Sequence, residues 1–465
     1  MGDARYRRPV SRRQFVHWLG GSLGLVALGA VACQQPAAQP TAAPATKPPA
    51  QPTTAPAPTQ AAAPTAAPKV QPTAAPAGAK PGASIVYQVQ SFAHDALKPF
   101  MEEFRQRTGI AVTLQSAPAS AQDVVTQLLP AFASGTAPAD VFDAGDPDGE
   151  AFANAGYLEP LDDSLEPGFW DDFPPSMVDS TKTWNQIDGK TYRIYHNWEL
   201  GYFWTRKDVL DELKLQAPAT WDQLVEVGKA AKQQKQMWGF ADAASKPGLM
   251  FVYMAYLTAQ AGGNLYQFDE ATARAFQFAH DLIYQHEVFP RDALTWTYDQ
   301  LNSAYMGDKL LTMREWTFFW DVSQGQKEWY KPEKVHIALP PAGPGGSKTW
   351  AGGWGWAIPK FTRNMEAAKT FFKWITSKEN APRLAKASAF FVTSRNSVMS
   401  VMGNEGILRY MKLYTEQNAV APRPYTKQSI KAETVVDDVA QAYLTNQIDL
   451  KTAMEQGKQR LATLR

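Results

Sequence analysis

From residue 84 onward, hydrophobic positions alternate between short continuous runs and helical spacing. Ile85-Val86-Tyr87-Gln88-Val89 reads as a buried strand. Leu97, Phe100, Met101 and Phe104 then recur three and four residues apart, which predicts a helix stopped by Gly109. Ile110 to Leu114 predicts a second strand. Val124, Val125, Leu128, Leu129 and Phe132 predict a second helix, closed by Gly135, and Asp140-Val141-Phe142 a third strand. A strand–helix–strand–helix–strand order implies parallel neighbours joined by right-handed crossovers, the start of an open doubly wound α/β sheet. Ligands of such sheets lie beyond the carboxyl ends of the strands. Gln90, Ser91 and the run Asp143-Ala144-Gly145-Asp146 fall there.

The same texture continues downstream. Thr220-Trp221-Asp222-Gln223 has the pattern of a capping box and predicts a helix running to about Lys235. Ala271 to Gln285 is amphipathic, with Phe276, Ala279 and Ile283 inward. After a Pro/Gly loop over 340–347, Gly353 to Ile358 reads as a strand ended by Pro359. Its alternation puts Trp354 and Trp356 on one side, so at least one of the pair belongs to the core. Helices over about Met365–Ser377 and Pro382–Ala389 follow, and no internal repeat is visible.

The first 82 residues follow other rules. Ser11-Arg12-Arg13-Gln14-Phe15-Val16 precedes an apolar run from Trp18 to Ala32, short for a membrane-spanning helix and suited to a signal peptide. Arg12 and Arg13 followed by Phe15 resemble the signature of the twin-arginine export route, with His17 where Lys is frequent. The run ends Ala30-Val31-Ala32-Cys33, which resembles a lipobox with Ala30 in place of the usual Leu. Acylation of Cys33 would anchor the mature chain to the membrane. Residues 34–82 comprise 49 positions, 43 of them Ala, Pro, Thr or Gln, too few apolar groups to offset the entropy of ordering. They are expected to form a disordered tether.

Composition narrows the function. Setting aside the eight Lys/Arg and the single acid of residues 1–82 leaves 38 basic and 44 acidic side chains in residues 83–465, a net charge of −6 without basic runs. Nucleic-acid binding, which needs clustered cations, is excluded. At 383 residues this part exceeds one compact core, so two lobes are expected. Cys33 is the only cysteine, and the histidines are scattered, which leaves no disulfide, thiolate site or metal pair; no metal and no cofactor are expected. Phosphate-loop and nucleophile-elbow motifs are absent. Aromatic residues interspersed with planar polar ones stand out instead: Asn197-Trp198-Glu199 with Tyr202, Arg314-Glu315-Trp316, and Trp350, Trp354 and Trp356. A sugar ring packs its C–H face on an aromatic and directs hydroxyls to carboxylates, amides and guanidinium groups. Asp143, Asp146, Glu199 and Glu315 also allow an acid and base pair for glycoside hydrolysis.

Several stretches in order carry a resemblance to the family 1 extracellular solute-binding proteins of ABC importers, the maltose-binding-protein-like group. They include Phe104-Arg-Gln-Arg-Thr-Gly-Ile-Ala-Val112, Pro138-Ala-Asp-Val-Phe-Asp143, Tyr157-Leu-Glu-Pro-Leu161, Asp188-Gly-Lys-Thr-Tyr192, Gly352-Gly-Trp-Gly-Trp-Ala-Ile-Pro-Lys360 and Pro422-Arg-Pro424. The resemblance spans nearly all of residues 84–465. One departure is Thr205-Arg206, where the family often has Tyr-Asn before Lys-Asp. The resemblance implies a two-lobed periplasmic-binding-protein-like fold with a hinge, residues 84–198 plus about 356–395 forming one lobe and about 199–355 plus 396–465 the other. It places Gln90, Ser91, Asp143, Asp146, Asn197, Trp198, Glu199, Phe251, Glu315, Trp316, Gly353, Trp354 and Tyr425 at the cleft. It also implies a monomeric receptor on the outer face of the membrane that passes a carbohydrate to permease subunits. A glycan-acting enzyme and a chemosensory or adhesion protein are the alternatives on the same fold.

Overall fold

The computed structural model describes residues 82–118 and 120–464; Arg12, Arg13, Cys33 and the tether lie outside the described residues. Ser84–Val89 pairs in parallel with Ala111–Ser116 on one side and Val141–Gly145 on the other. Trp354–Ala357 then adds antiparallel to Val141–Gly145, and Arg193–Tyr195 antiparallel to that, completing a five-stranded sheet. Alternation along the first strand sends Ile85, Tyr87 and Val89 to one face, under helices His94–Thr108 and Met365–Ile375. Val86 goes to the other, under Ala121–Ala133 and Asp146–Asn154. The helix His94–Thr108 stops at Gly109, whose φ of 76° is the left-handed conformation that favours glycine.

The second sheet has the order Val335–Ala338, Tyr202–Arg206, Leu310–Glu315, Trp238–Ala241 and is also mixed. Leu249–Ala261 is buried on nearly every side, as a helix apolar all round must be. Helices Glu270–Tyr284 and Ser429–Leu444 pack over it. Thr220 caps Trp221–Lys235 by accepting from the Gln223 N–H, while Gln223 Oε1 accepts from Ala219 rather than from Thr220, a box one residue wider than the sequence pattern suggests. At the departure from the family pattern, Arg206 is buried and paired with Asp208 and Asp308, so the difference is absorbed inside the lobe.

A three-stranded sheet joins the two halves. Thr349–Gly352 lies between Glu199–Leu200, antiparallel, and Val420–Ala421, parallel. Beside it, the Trp198 N–H donates to Val392 O at 2.8 Å.

One strand end differs from the sequence reading. The third strand runs to Gly145 because Trp354–Ala357 pairs along its whole length, Trp356 opposite Asp143 and Trp354 opposite Gly145. Asp143 is therefore inside a strand and not in the loop beyond it. Through the same pairing Trp354 and Gly355 belong to the first sheet.

Candidate ligand-binding cleft

A cleft of about 240 Å³ opens between the two large sheets, with Trp350 and Gly352 of the linking sheet at its base. Gln90 and Ser91, at the end of the first strand, line one wall together with Asp146, Gly353 and Trp354. Leu249, Val252, Tyr298, Asp299 and Trp316 line the opposite wall. The cleft thus brings together seven residues expected from the sequence: Gln90, Ser91, Asp146, Glu199, Trp316, Gly353 and Trp354.

Asp146 is the anchor of the first wall. Its Oδ1 accepts from Arg193 Nη2 at 2.6 Å and from the Tyr195 hydroxyl at 2.5 Å. Its Oδ2 accepts from the Gly353 N–H at 3.2 Å and from Arg423 Nη1 at 3.3 Å. Gly353 is required there, since an added Cβ would lie 2.7 Å from Asn197 O and inside the Tyr195 ring. Arg423 continues the network to Glu433 at 2.5 Å while standing 4.9 Å over the Trp350 ring. Glu433 Oε2 accepts from Gln122 Nε2 of the first half at 3.2 Å. Asp146 thereby accepts from two arginines, a phenol and a backbone N–H, and Glu433 from one arginine and one amide.

Glu199 is different. Its Oε1 is buried without a hydrogen-bond partner. Burial, opposed by Arg314 and reinforced by Asp146, raises its pKa to about 8. A carboxyl held up in this way keeps its proton well above the usual range, and in that form it both donates and accepts, which matches a sugar hydroxyl.

The second wall centres on Trp316. Its Nε1–H donates to the Tyr298 hydroxyl at 2.7 Å, its ring meets Trp350 edge-on at 5.0 Å, and Arg314 stands 4.5 Å from its centroid. Arg314 is held by a bidentate bond to Asp242 at 2.7 and 2.8 Å, both side chains fully buried.

Six expected residues do not line this cleft. Asp143 lies within the sheet, accepting from the Tyr87 hydroxyl at 2.7 Å with His196 at 3.0 Å. Asn197 is buried and supports the cleft from behind, its Oδ1 accepting from the Trp354 N–H at 2.6 Å. Phe251 is on the core side of its helix against Tyr266 and Trp350; Leu249 and Val252 take the cleft-facing positions. Glu315 turns inward, its Oε1 accepting from the Trp316 N–H at 2.8 Å, and burial holds its carboxyl well above the usual range. Trp198 and Tyr425 line a separate pocket across the linking sheet.

Sequence reasoning missed an aromatic cluster at the mouth. Phe92, 45% exposed, stacks on Phe318 at 5.3 Å and meets Phe390 edge-on at 4.8 Å. Phe92 adjoins Ser91 and Arg423 stands inside Pro422-Arg-Pro424, so both carry a local signal; Tyr298 and Glu433 carry none.

Residues 93–382 match the family described as bacterial extracellular solute-binding protein. The chain belongs to that family. Among proteins similar to this solute-binding protein, a probable ABC transporter-binding protein of Deinococcus radiodurans is 22% identical over 279 residues, covering 56% of this chain. The alignment spans 64% of that relative's length. Of the solved structures, maltose-bound MalE3 of T. maritima superposes with a TM-score of 0.74 at 24% identity, covering 82% of this chain and 100% of that one. A solute-binding protein of Thermotoga lettingae bound to α-D-tagatose gives 0.71 at 17% identity, with 82% and 100% covered. The GacH receptor of Streptomyces glaucescens, solved unliganded and with acarbose, gives 0.71 at 18%, with 82% and 98% covered. These likenesses establish the two-lobed fold.

Glu199 makes stability depend on pH. An unfolded glutamate ionises near 4.5, whereas the folded one keeps its proton to about 8. Its contribution is complete below pH 4.5, declines as pH rises to about 8, and is constant above. Glu199→Gln removes this slope. At about 1.4 kcal/mol per unit, the wild type should lose up to about 5 kcal/mol relative to the variant across that window. Urea unfolding of both proteins at each end of the window measures it, and parallel pH curves would contradict the assignment.

Proposed function

We propose that this protein captures a neutral carbohydrate in the cleft and delivers it unaltered to the permease subunits of an ABC importer. The observation that carries the reading is the pairing, in one cleft, of Trp316 and Trp354 on opposing walls with Glu199 between them, whose Oε1 is buried without a hydrogen-bond partner. Stacking on the indoles supplies affinity, and Glu199 hydrogen-bonds a hydroxyl. A solute lacking that hydroxyl leaves the buried carboxyl unpaired and is rejected. The relatives support the same reading: their names give maltose, tagatose and acarbose as bound solutes and an ABC transporter as the partner.

In this reading the protein acts as a monomer outside the cytoplasmic membrane, exported through the signal containing Arg12 and Arg13 and anchored through acylated Cys33. Residues 84–198 with about 356–395 form one lobe, and about 199–355 with about 396–465 the other. Hydrolysis is disfavoured by the carboxylates. Of the four carboxylates the sequence offers for acid–base chemistry, Asp143 and Glu315 do not line the cleft and Asp146 is saturated by two arginines, a tyrosine and an N–H, so only Glu199 stays open to a solute.

Calorimetric titration with maltose, D-tagatose and acarbose tests the proposal. At least one sugar should bind to the wild type, Glu199→Gln should weaken it by roughly 1–2 kcal/mol, and the sugar should be recovered intact. Shortened glycans that disappear with Glu199→Gln would establish an enzyme instead.

A further inference from the structure

The linking sheet has two faces, and the pleat sorts its residues between them. Glu199, Trp350 and Gly352 line the cleft, whereas their neighbours Trp198 and Ala351 line a pocket on the opposite side. That second pocket, about 420 Å³, is larger than the cleft. Its aromatic walls are Trp184, Tyr195, Trp198 and Tyr425, with the Asn418 amide and the oxygen of Thr415, whose hydroxyl donates to Met411 O, at exposed positions. Tyr425 is 40% exposed and meets Trp184 edge-on at 4.9 Å, so an aromatic face is left open to the pocket mouth. Among the described residues only three large hydrophobic side chains are exposed, and two of them, Phe92 and Tyr425, stand at the two pockets.

Charge defines what the pocket takes. No carboxylate lines it, and its one charged residue, Arg423, is committed to Asp146 and Glu433. A cationic solute finds no counter-ion there, and an anionic one meets a guanidinium already neutralised. Indole and phenol faces beside hydroxyl and amide groups suit a ring with an apolar face and an uncharged polar edge.

We propose that this pocket is a second binding site, for a neutral sugar ring or short neutral oligosaccharide, separate from the cleft. It stands whether or not the cleft binds sugar. The full chain labelled with 5-fluorotryptophan is titrated with maltose, maltotriose and D-mannitol, with glucuronate as a charged control, and followed by fluorine NMR. Resonances of Trp184, Trp198 and Trp316 are assigned through their Trp→Phe variants. The proposal expects Trp184 and Trp198 to shift with one saturation curve, distinct from that of Trp316, and glucuronate to leave them unmoved. Tyr425→Ala should weaken that curve by about tenfold or more while the Trp316 curve stays in place. Asn418→Ala, at an exposed position, should weaken it with unchanged unfolding. Trp184 and Trp198 remaining still with all three neutral sugars would overturn the proposal. So would their shifting only in step with Trp316, insensitive to both variants. Trp184 and Trp198 titrating with Trp316 silent would instead reject the cleft reading and keep this one.

Discussion

Replacing Arg314 by Met lowers the stability of the folded chain by about 3–5 kcal/mol, the loss that follows when one partner of a buried ion pair is removed. Arg314 and Asp242 are both fully buried and share two hydrogen bonds, so the variant leaves a carboxylate with neither solvent nor counter-ion. Burial already pushes the Asp242 carboxyl up against the pull of Arg314. Without the arginine it rises further, and the protein escapes part of the loss by protonating it. The loss should therefore grow with pH. Adding Asp242→Asn should recover part of the stability, because an amide is far less costly to bury than an unpaired charge. Denaturant unfolding of the single and double variants gives the coupling directly. A loss under about 1 kcal/mol for Arg314→Met would show that the pair is not the buried support of the second wall.

Trp316→Ala should lower stability by about 3–5 kcal/mol and also weaken sugar binding by about 1–3 kcal/mol. The two effects arise from different parts of one side chain. Trp316 is 7% exposed, its edge is packed on Trp350, and its N–H is bonded to Tyr298, which is core behaviour. Its remaining surface lines the cleft, which is anchor behaviour. Trp316→Phe separates them: it keeps an aromatic face but strands the Tyr298 hydroxyl and loses indole area. Unfolding and titration of both variants should show Phe retaining more affinity than Ala. Equal affinity in Trp316→Ala and wild type would place the solute elsewhere.

Elements with strong periodicity were legible in the sequence. Leu97, Phe100, Met101 and Phe104 are buried in the helix they predict, and Phe276, Ala279 and Ile283 are inward in theirs. Gln90, Ser91 and Asp146 line the cleft from strand ends, the place a doubly wound sheet leaves open. Misplacements have specific causes. Asp143 was put in a loop because the strand that extends Val141–Gly145 comes from residues 354–357, far along the chain. Phe251 lies on a helix apolar all round, whose sequence offers no face to choose. Trp198 is aromatic and beside the hinge, but the pleat of the linking sheet decides its side, and Tyr425, beyond Val420–Ala421, is placed by its contact with Trp184. Arg423 and Glu433 matter through tertiary pairing with Asp146 and Gln122, which local pattern does not encode.

Native mass spectrometry of the wild-type protein with a panel of neutral sugars, alongside Trp316→Ala and Glu199→Gln, separates a sugar receptor from an enzyme. A receptor gives a complex carrying a mass increment equal to one intact sugar, sharply reduced in both variants, and releases that sugar unchanged. A wild-type protein that takes up none of the neutral sugars, or that returns them shortened, would contradict the receptor reading.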